Sequence, residues 1–134
     1  MKSTLTSWIL RIIIVLIFAQ TLPYKFAGAM ESRELFTQLG IEPWGRFGIG
    51  FLELIACVLI IFQPTMIYGA ILAWGLMAGA LFAHATQLGF GGAMFPLALV
   101  AILAFIASSA LLLLNRAKLP IVGGLFKTKE PKAA

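Results

Sequence analysis

RFGIGFLELIACVLII, residues 46–61, is the stretch on which the reading of the whole chain turns. With its flanks, from Trp44 to Phe62, this run is long enough for a helix to cross the ~30 Å hydrocarbon layer of a bilayer. Arg46 nonetheless stands near one end of the run and Glu53 lies inside it. An unpaired carboxylate at that depth costs about 3 kcal/mol or more. Glu53 therefore needs a partner, a proton or a task.

Outward from that run, composition assigns the class. Of 134 residues, 61% are hydrophobic and 11% charged, and the mean hydropathy is +1.02, which is a membrane profile rather than that of a soluble domain. Four apolar runs, about 8–26, 44–62, 66–88 and 94–114, each approach the ~20 residues of a membrane-crossing helix. None shows the strict alternation of a strand, and an isolated strand would leave backbone groups unpaired in lipid. Gln63-Pro64-Thr65 and the Gly-rich 89–93 are links short enough to force antiparallel neighbours. The longer first link contains ESRELFTQLG, which reads as an interfacial helix over about 32–39, with Ser32 as N-cap, Leu35, Phe36 and Leu39 on one face, and Gly40 past the end. The expected fold is an all-α membrane protein: an antiparallel bundle of four transmembrane helices in residues 1–114, followed by a basic tail at 115–134.

Lys2, Arg116, Lys118, Lys127, Lys129 and Lys132 gather on the side shared by both termini, with Arg11 expected to snorkel towards it. On the other side Lys25, Arg33 and Arg46 are matched by Glu31, Glu34 and Glu42. The positive-inside rule then makes both termini cytoplasmic and the first link external. The net charge of +5 comes mostly from the tail and suits anionic lipid head groups rather than nucleic acid. Ala27-Gly28-Ala29 fits a signal-peptide cleavage pattern. Arg11 interrupts the run before it, and an uncleaved first span is the preferred reading.

Residue counts exclude several chemistries. A lone cysteine, Cys57, forms neither an internal disulfide nor a C-x-x-C pair, and a lone histidine, His84, does not supply two haem ligands. The chain has no aspartate, no phosphate loop and no metal-ligand cluster. No catalytic residue, metal ligand or intrinsic cofactor is assigned, and catalysis by this chain alone is disfavoured. Cys57 reads as a small buried hydrophobe. Gly75-Leu76-Met77-Ala78-Gly79, extended by Ala83, is a small-residue stripe expected to let helices pack closely, within the chain or across a homo-oligomer seam.

At ~1.5 Å per residue Glu53 lies about 13 Å in from Trp44, near mid-membrane, and Arg46, Gly50, Glu53 and Cys57 share one helical face. Lys25, Gln20, His84 and Gln87 fall in the same half of the bundle. The candidate ligand-binding set is therefore Lys25, Arg46, Glu53, His84, Gln20 and Gln87. One reading is a polar network that only makes the core unique; the other is an external pocket, because ionisable groups within a membrane are functional candidates.

QTLPYKFAGAMESRELFTQLGIEPWGRFGIGFLELIA (20–56) and GALFAHATQLG (79–89) resemble the DoxX family of small four-helix bacterial membrane proteins. Lys25-Phe26-Ala27-Gly28, Glu31-Ser32, Pro43-Trp44-Gly45-Arg46, Glu53 and His84 carry the resemblance. It implies an association with thiosulfate–quinone oxidoreduction or with membrane complexes handling oxidative stress. The leading expectation is an accessory subunit binding a quinone or another small polar-headed molecule, or a redox protein partner. A proton-coupled transporter using Glu53 and His84, and a purely structural or assembly protein, are the alternatives.

Overall fold

A backbone in hydrocarbon has to pair its own polar groups, and this sequence does so with helices. The computed structural model describes residues 2–92 and 94–119. These form five α-helices, α1 (Lys2–Ala27), α2 (Met30–Gln38), α3 (Trp44–Ile61), α4 (Met66–Ala83) and α5 (Met94–Leu114), with a π-helical turn, His84–Leu88, continuing α4. α1, α3, α4 with its extension, and α5 are long and apolar enough to cross a membrane, and at most 33% of the most apolar window of any of them is buried inside the protein. Lipid is left to cover the rest, including Leu16, Phe51, Phe82, Ile106 and Leu113 on the outer surface. The chain is a multi-pass membrane protein built as a four-helix bundle.

α1 and α4 each pack on both α3 and α5. The side where α1 begins and α5 ends is called proximal, and the side carrying α2 distal. Most of the expected span ends agree with the helices, although α1 starts earlier than residue 8. Of the expected basic tail, residues 120–134, with Lys127, Lys129 and Lys132, lie outside the described residues.

The proximal half is filled. Ile14, Phe18, Ala56, Ile60, Met66, Ala70 and Leu111 are buried there in one cluster. Small residues set the helix separations: Ala98, Ala101, Ala104 and Ala107 form a buried stripe on α5. At Gly69 an added Cβ would lie 2.7 Å from the Ile60 side chain and 2.9 Å from the Ala56 carbonyl oxygen. That glycine, rather than Gly75 or Gly79, is where helix backbones meet. At Gly75 and Gly79 an added Cβ would touch nothing within 4 Å. Within the single chain the expected close packing at Gly75 and Gly79 is not made; with Ala83 they line a cavity, because no neighbouring helix of the chain closes on that face of α4.

Two arginines tie α1 to α3 at opposite ends. Arg11 does not snorkel as expected; it is 1% exposed. Its Nε donates to the Ile60 carbonyl at 2.8 Å, Nη2 to the Ile61 carbonyl at 2.7 Å and Nη1 to Gln63 Oε1 at 2.7 Å, while the guanidinium stacks 3.6 Å from the centre of the Trp8 ring. The last carbonyls of a helix have no partner within it, and a cation there also meets the negative end of the helix dipole. Thr65 completes the set by donating to the Leu59 carbonyl at 2.8 Å. Arg46 does the reciprocal service, donating from Nη1 to the Lys25 carbonyl at the end of α1.

α2 begins at Met30 with Ala29 as its N-cap and no side-chain capping bond, which corrects the assignment of that role to Ser32. Its end follows the expectation. Gly40 takes φ +76°, a region costly for other residues. The Ile41 amide then donates to the Phe36 carbonyl at 3.0 Å and the Gly40 amide to the Thr37 carbonyl at 3.0 Å, a Schellman closure. Gly28, φ +72°, turns the chain out of α1 in the same way, with the Ala29 amide on the Tyr24 carbonyl at 2.9 Å. The apolar face of α2 is thereby laid over the distal end of the bundle, with Phe36 buried.

Candidate functional site

Between the filled proximal half and the α2 cover lies a cavity of about 630 Å³, within the size range of small-molecule sites. α1 contributes Phe18, Thr21 and Lys25, α3 Ile49 and Glu53, and α4 Met77 and the glycine face. Leu35, Phe36 and Leu39 of α2 close it distally, and Pro96, Leu97 and Val100 of α5 complete the wall. A second, shallower groove of about 310 Å³ lies on the outer face of α2, between Met30, Arg33 and Thr37. All of its lining residues are exposed, so it holds no desolvated group.

Glu53 is the polar centre of the cavity wall, with 2% of its surface exposed. Lys25 Nζ lies 2.9 Å from Glu53 Oε1. Oε1 has that ion pair alone and meets no donor in hydrogen-bonding geometry. Thr21 Oγ1 is 3.5 Å from Oε2, a long contact, and the same hydroxyl donates to the Phe18 carbonyl at 2.9 Å. A local feature brings the pair together. Gly50, one turn from Glu53, lets α1 come close: a Cβ there would be 3.4 Å from Lys25 Cβ. Pro23 lies within α1, where its missing N–H leaves the Ala19 carbonyl without its usual partner.

His84 is 3% exposed and lines the same cavity. It opens the π-helical turn, a geometry that recurs at functional sites. The Gly89 amide donates to the His84 carbonyl at 2.8 Å, and the ring Nδ1 lies 2.9 Å from the Gly89 carbonyl oxygen. That oxygen only accepts, so Nδ1 is the donor of this contact, and in a neutral imidazole Nε2 then holds the lone pair.

Of the six residues expected to bind a ligand, Lys25, Glu53, His84 and Gln20 line the cavity and Arg46 and Gln87 do not. Gln20 is exposed and belongs to the rim. Arg46 is buried but fully engaged: Nε lies 2.9 and 3.1 Å from the two Glu42 carboxylate oxygens, Nη2 is 2.9 Å from Oε1, and Nη1 holds the Lys25 carbonyl. It positions the Lys25 backbone. Gln87, in the π-turn, is exposed. Thr21 and the apolar face of α2 join the site without having been expected there. Thr21 differs little in sequence from any span threonine; its position four residues before Lys25, on the same helical face, was the available signal.

Ser108 and Ser109, in the proximal half of α5, are both hydrogen-bonded. Ser108 donates to the Phe105 carbonyl at 3.1 Å, and Ser109 accepts from Trp74 Nε1 at 3.0 Å. Among the described residues no three His, Cys, Asp or Glu side chains lie together as a metal site would require.

The family model described as DoxX-like family matches residues 9–106. No curated protein and no solved structure gives a match.

Proposed function

The chain belongs to the DoxX-like family, and from that premise and the cavity we propose that it is an accessory, ligand-holding subunit of a membrane-associated redox system. The ligand is a lipid-soluble molecule with a polar head, of the quinone class. The observation that carries the proposal is the Lys25–Glu53 pair, desolvated on the wall of an otherwise largely apolar cavity within the spans. An ion pair kept only for stability does not need a void beside it, whereas a ligand site combines apolar walls with a few fixed polar groups. Lys25 has ammonium protons beyond the one aimed at Glu53 and donates one to a ring carbonyl. The tail of the ligand leaves between α1 and α5, where the lining residues Gln20, Tyr24, Pro96 and Leu97 are also exposed. Electrons come from a partner protein, and the chain orients the head group.

The proposal sets the cavity on the external side of the bacterial inner membrane, on the lysine and arginine bias of the chain ends. A through-path for a transported solute is less well supported. Proximal to Glu53 the interior is the packed apolar cluster of Ile14, Ala56, Ile60 and Ala70, and Ser108 and Ser109 are already engaged.

Equilibrium dialysis of the full chain in lipid nanodiscs against a decyl-chained benzoquinone, with protein-free nanodiscs as the partition blank, tests the proposal. The wild type binds saturably, about one molecule per chain. Lys25→Met combined with Glu53→Gln, which leaves no charge unpaired, weakens binding at least about tenfold, as the loss of a charged hydrogen bond implies. Absence of saturable binding, or binding indifferent to the double substitution, overturns it.

A further inference from the structure

We propose that the cavity holds the hydroquinone form of its ligand more tightly than the quinone; this rests on the reading that the ligand is of the quinone class. The polar groups that the fold leaves open are mostly acceptors. Glu53, 2% exposed, has acceptor capacity beyond its present partners: Oε1 has the Lys25 ammonium alone, and the Thr21 hydroxyl near Oε2 already donates to Phe18. An ionised carboxylate accepts about four hydrogen bonds, and Lys25 Nζ at 2.9 Å is the counterion that an ionised Glu53 requires. His84 as a neutral imidazole adds a second acceptor, because its Nδ1 proton is committed to the Gly89 carbonyl and Nε2 then offers a lone pair. Lys25, partly buried, is the donor that serves the head group, since the guanidinium of Arg46 is occupied by Glu42 and the end of α1. Gln20, Ser32 and Tyr24, which also line the cavity, each donate or accept and do not discriminate.

A quinone has only acceptor oxygens. Bound here, it would accept from Lys25, bring no further donor to Glu53 or His84, and turn its own lone pairs towards the carboxylate. A hydroquinone hydroxyl accepts from Lys25 and donates to Glu53 or His84. A buried acceptor left unpaired is the costlier case, so the reduced form is favoured.

Anaerobic dialysis of the same nanodiscs against the decyl-chained hydroquinone and its quinone, each with the protein-free blank, reads the preference as a ratio of dissociation constants. The expected wild-type ratio is at least about tenfold in favour of the hydroquinone, about 1.4 kcal/mol. Glu53→Gln, whose amide can donate to a quinone carbonyl, brings the ratio below about threefold, and His84→Phe lowers it as well. Equal affinities in the wild type, or tighter quinone binding, overturn the inference while leaving the ligand class intact. A ratio unchanged in both variants also overturns it. Saturable binding of neither form overturns the ligand class and the inference together. The wild-type ratio decides even if a variant fails to accumulate.

Discussion

At the scale of residues, the account turns on a carboxylate that has one cation and too few donors. Glu53→Gln keeps the shape and part of the hydrogen bonding. The protein is expected to reach the membrane in normal amount with its melting temperature little changed, while ligand binding falls. Quantifying membrane abundance and melting temperature beside dialysis separates this from a purely structural pair, for which abundance falls as well. Lys25→Met alone should destabilise by about 3 kcal/mol or more, because it strands a buried charge, and adding Glu53→Gln should restore most of the loss; thermal unfolding of the three proteins checks the order. Cys57, buried with Sγ 4.0 Å from the Val15 carbonyl, is expected to have a packing role alone. Cys57→Ala should cost about 1 kcal/mol and leave ligand binding unchanged. Glu53 was legible in the sequence because a charge in an apolar run demands an explanation. Its partner was not, since Lys25, Arg46 and His84 all fall in the same half of the bundle. Arg46 was unavailable to Glu53 because a helix-end carbonyl and Glu42 claim it, and no spacing rule reports where an unpaired carbonyl will lie.

At the scale of elements, helix ends and helix contacts do the positioning. Arg11→Met would leave the Ile60 and Ile61 carbonyls and the Gln63 side chain without their donor. A loss of about 2–4 kcal/mol is expected from orphaned buried acceptors, seen as a melting temperature lowered by several degrees. A snorkelling arginine would have made the same substitution nearly silent. The two glycine sites on α4 should respond oppositely. Gly69→Leu has no room against Ile60 and Ala56 and should abolish accumulation, whereas Gly79→Leu points into open space and should be tolerated. Western quantification of membrane fractions distinguishes them. The G-x-x-x-G pattern was visible in the sequence, but its meaning was not: small residues permit a close contact without requiring one. α2 was legible in its apolar face and in Gly40. That this face covers a cavity depends on how Gly28 and Gly40 aim the helix, which is a tertiary outcome.

At the scale of the whole molecule, the four spans and their number were readable, because hydrophobic length and short links leave a membrane chain few alternatives. The void within the bundle was not readable, since a cavity is the absence of packing across four helices and only the glycine face of α4 hinted at it. The orientation rests on charge bias. In a Cys57→Ser background, an impermeant thiol reagent applied from outside should label a cysteine at position 38 and spare one at position 129; the reverse pattern would invert the external assignment. The claim that the cavity exists to hold a ligand is tested most directly by solvent extraction of wild-type and Gly79→Leu protein purified from native membranes, with mass spectrometry of what is released. The wild type is expected to carry close to one lipophilic, polar-headed ring compound per chain. Gly79→Leu, whose added side chain occupies that space, should carry little of it while melting within a few degrees of the wild type. Identical extracts from the two proteins, containing bulk phospholipid alone, would contradict the account.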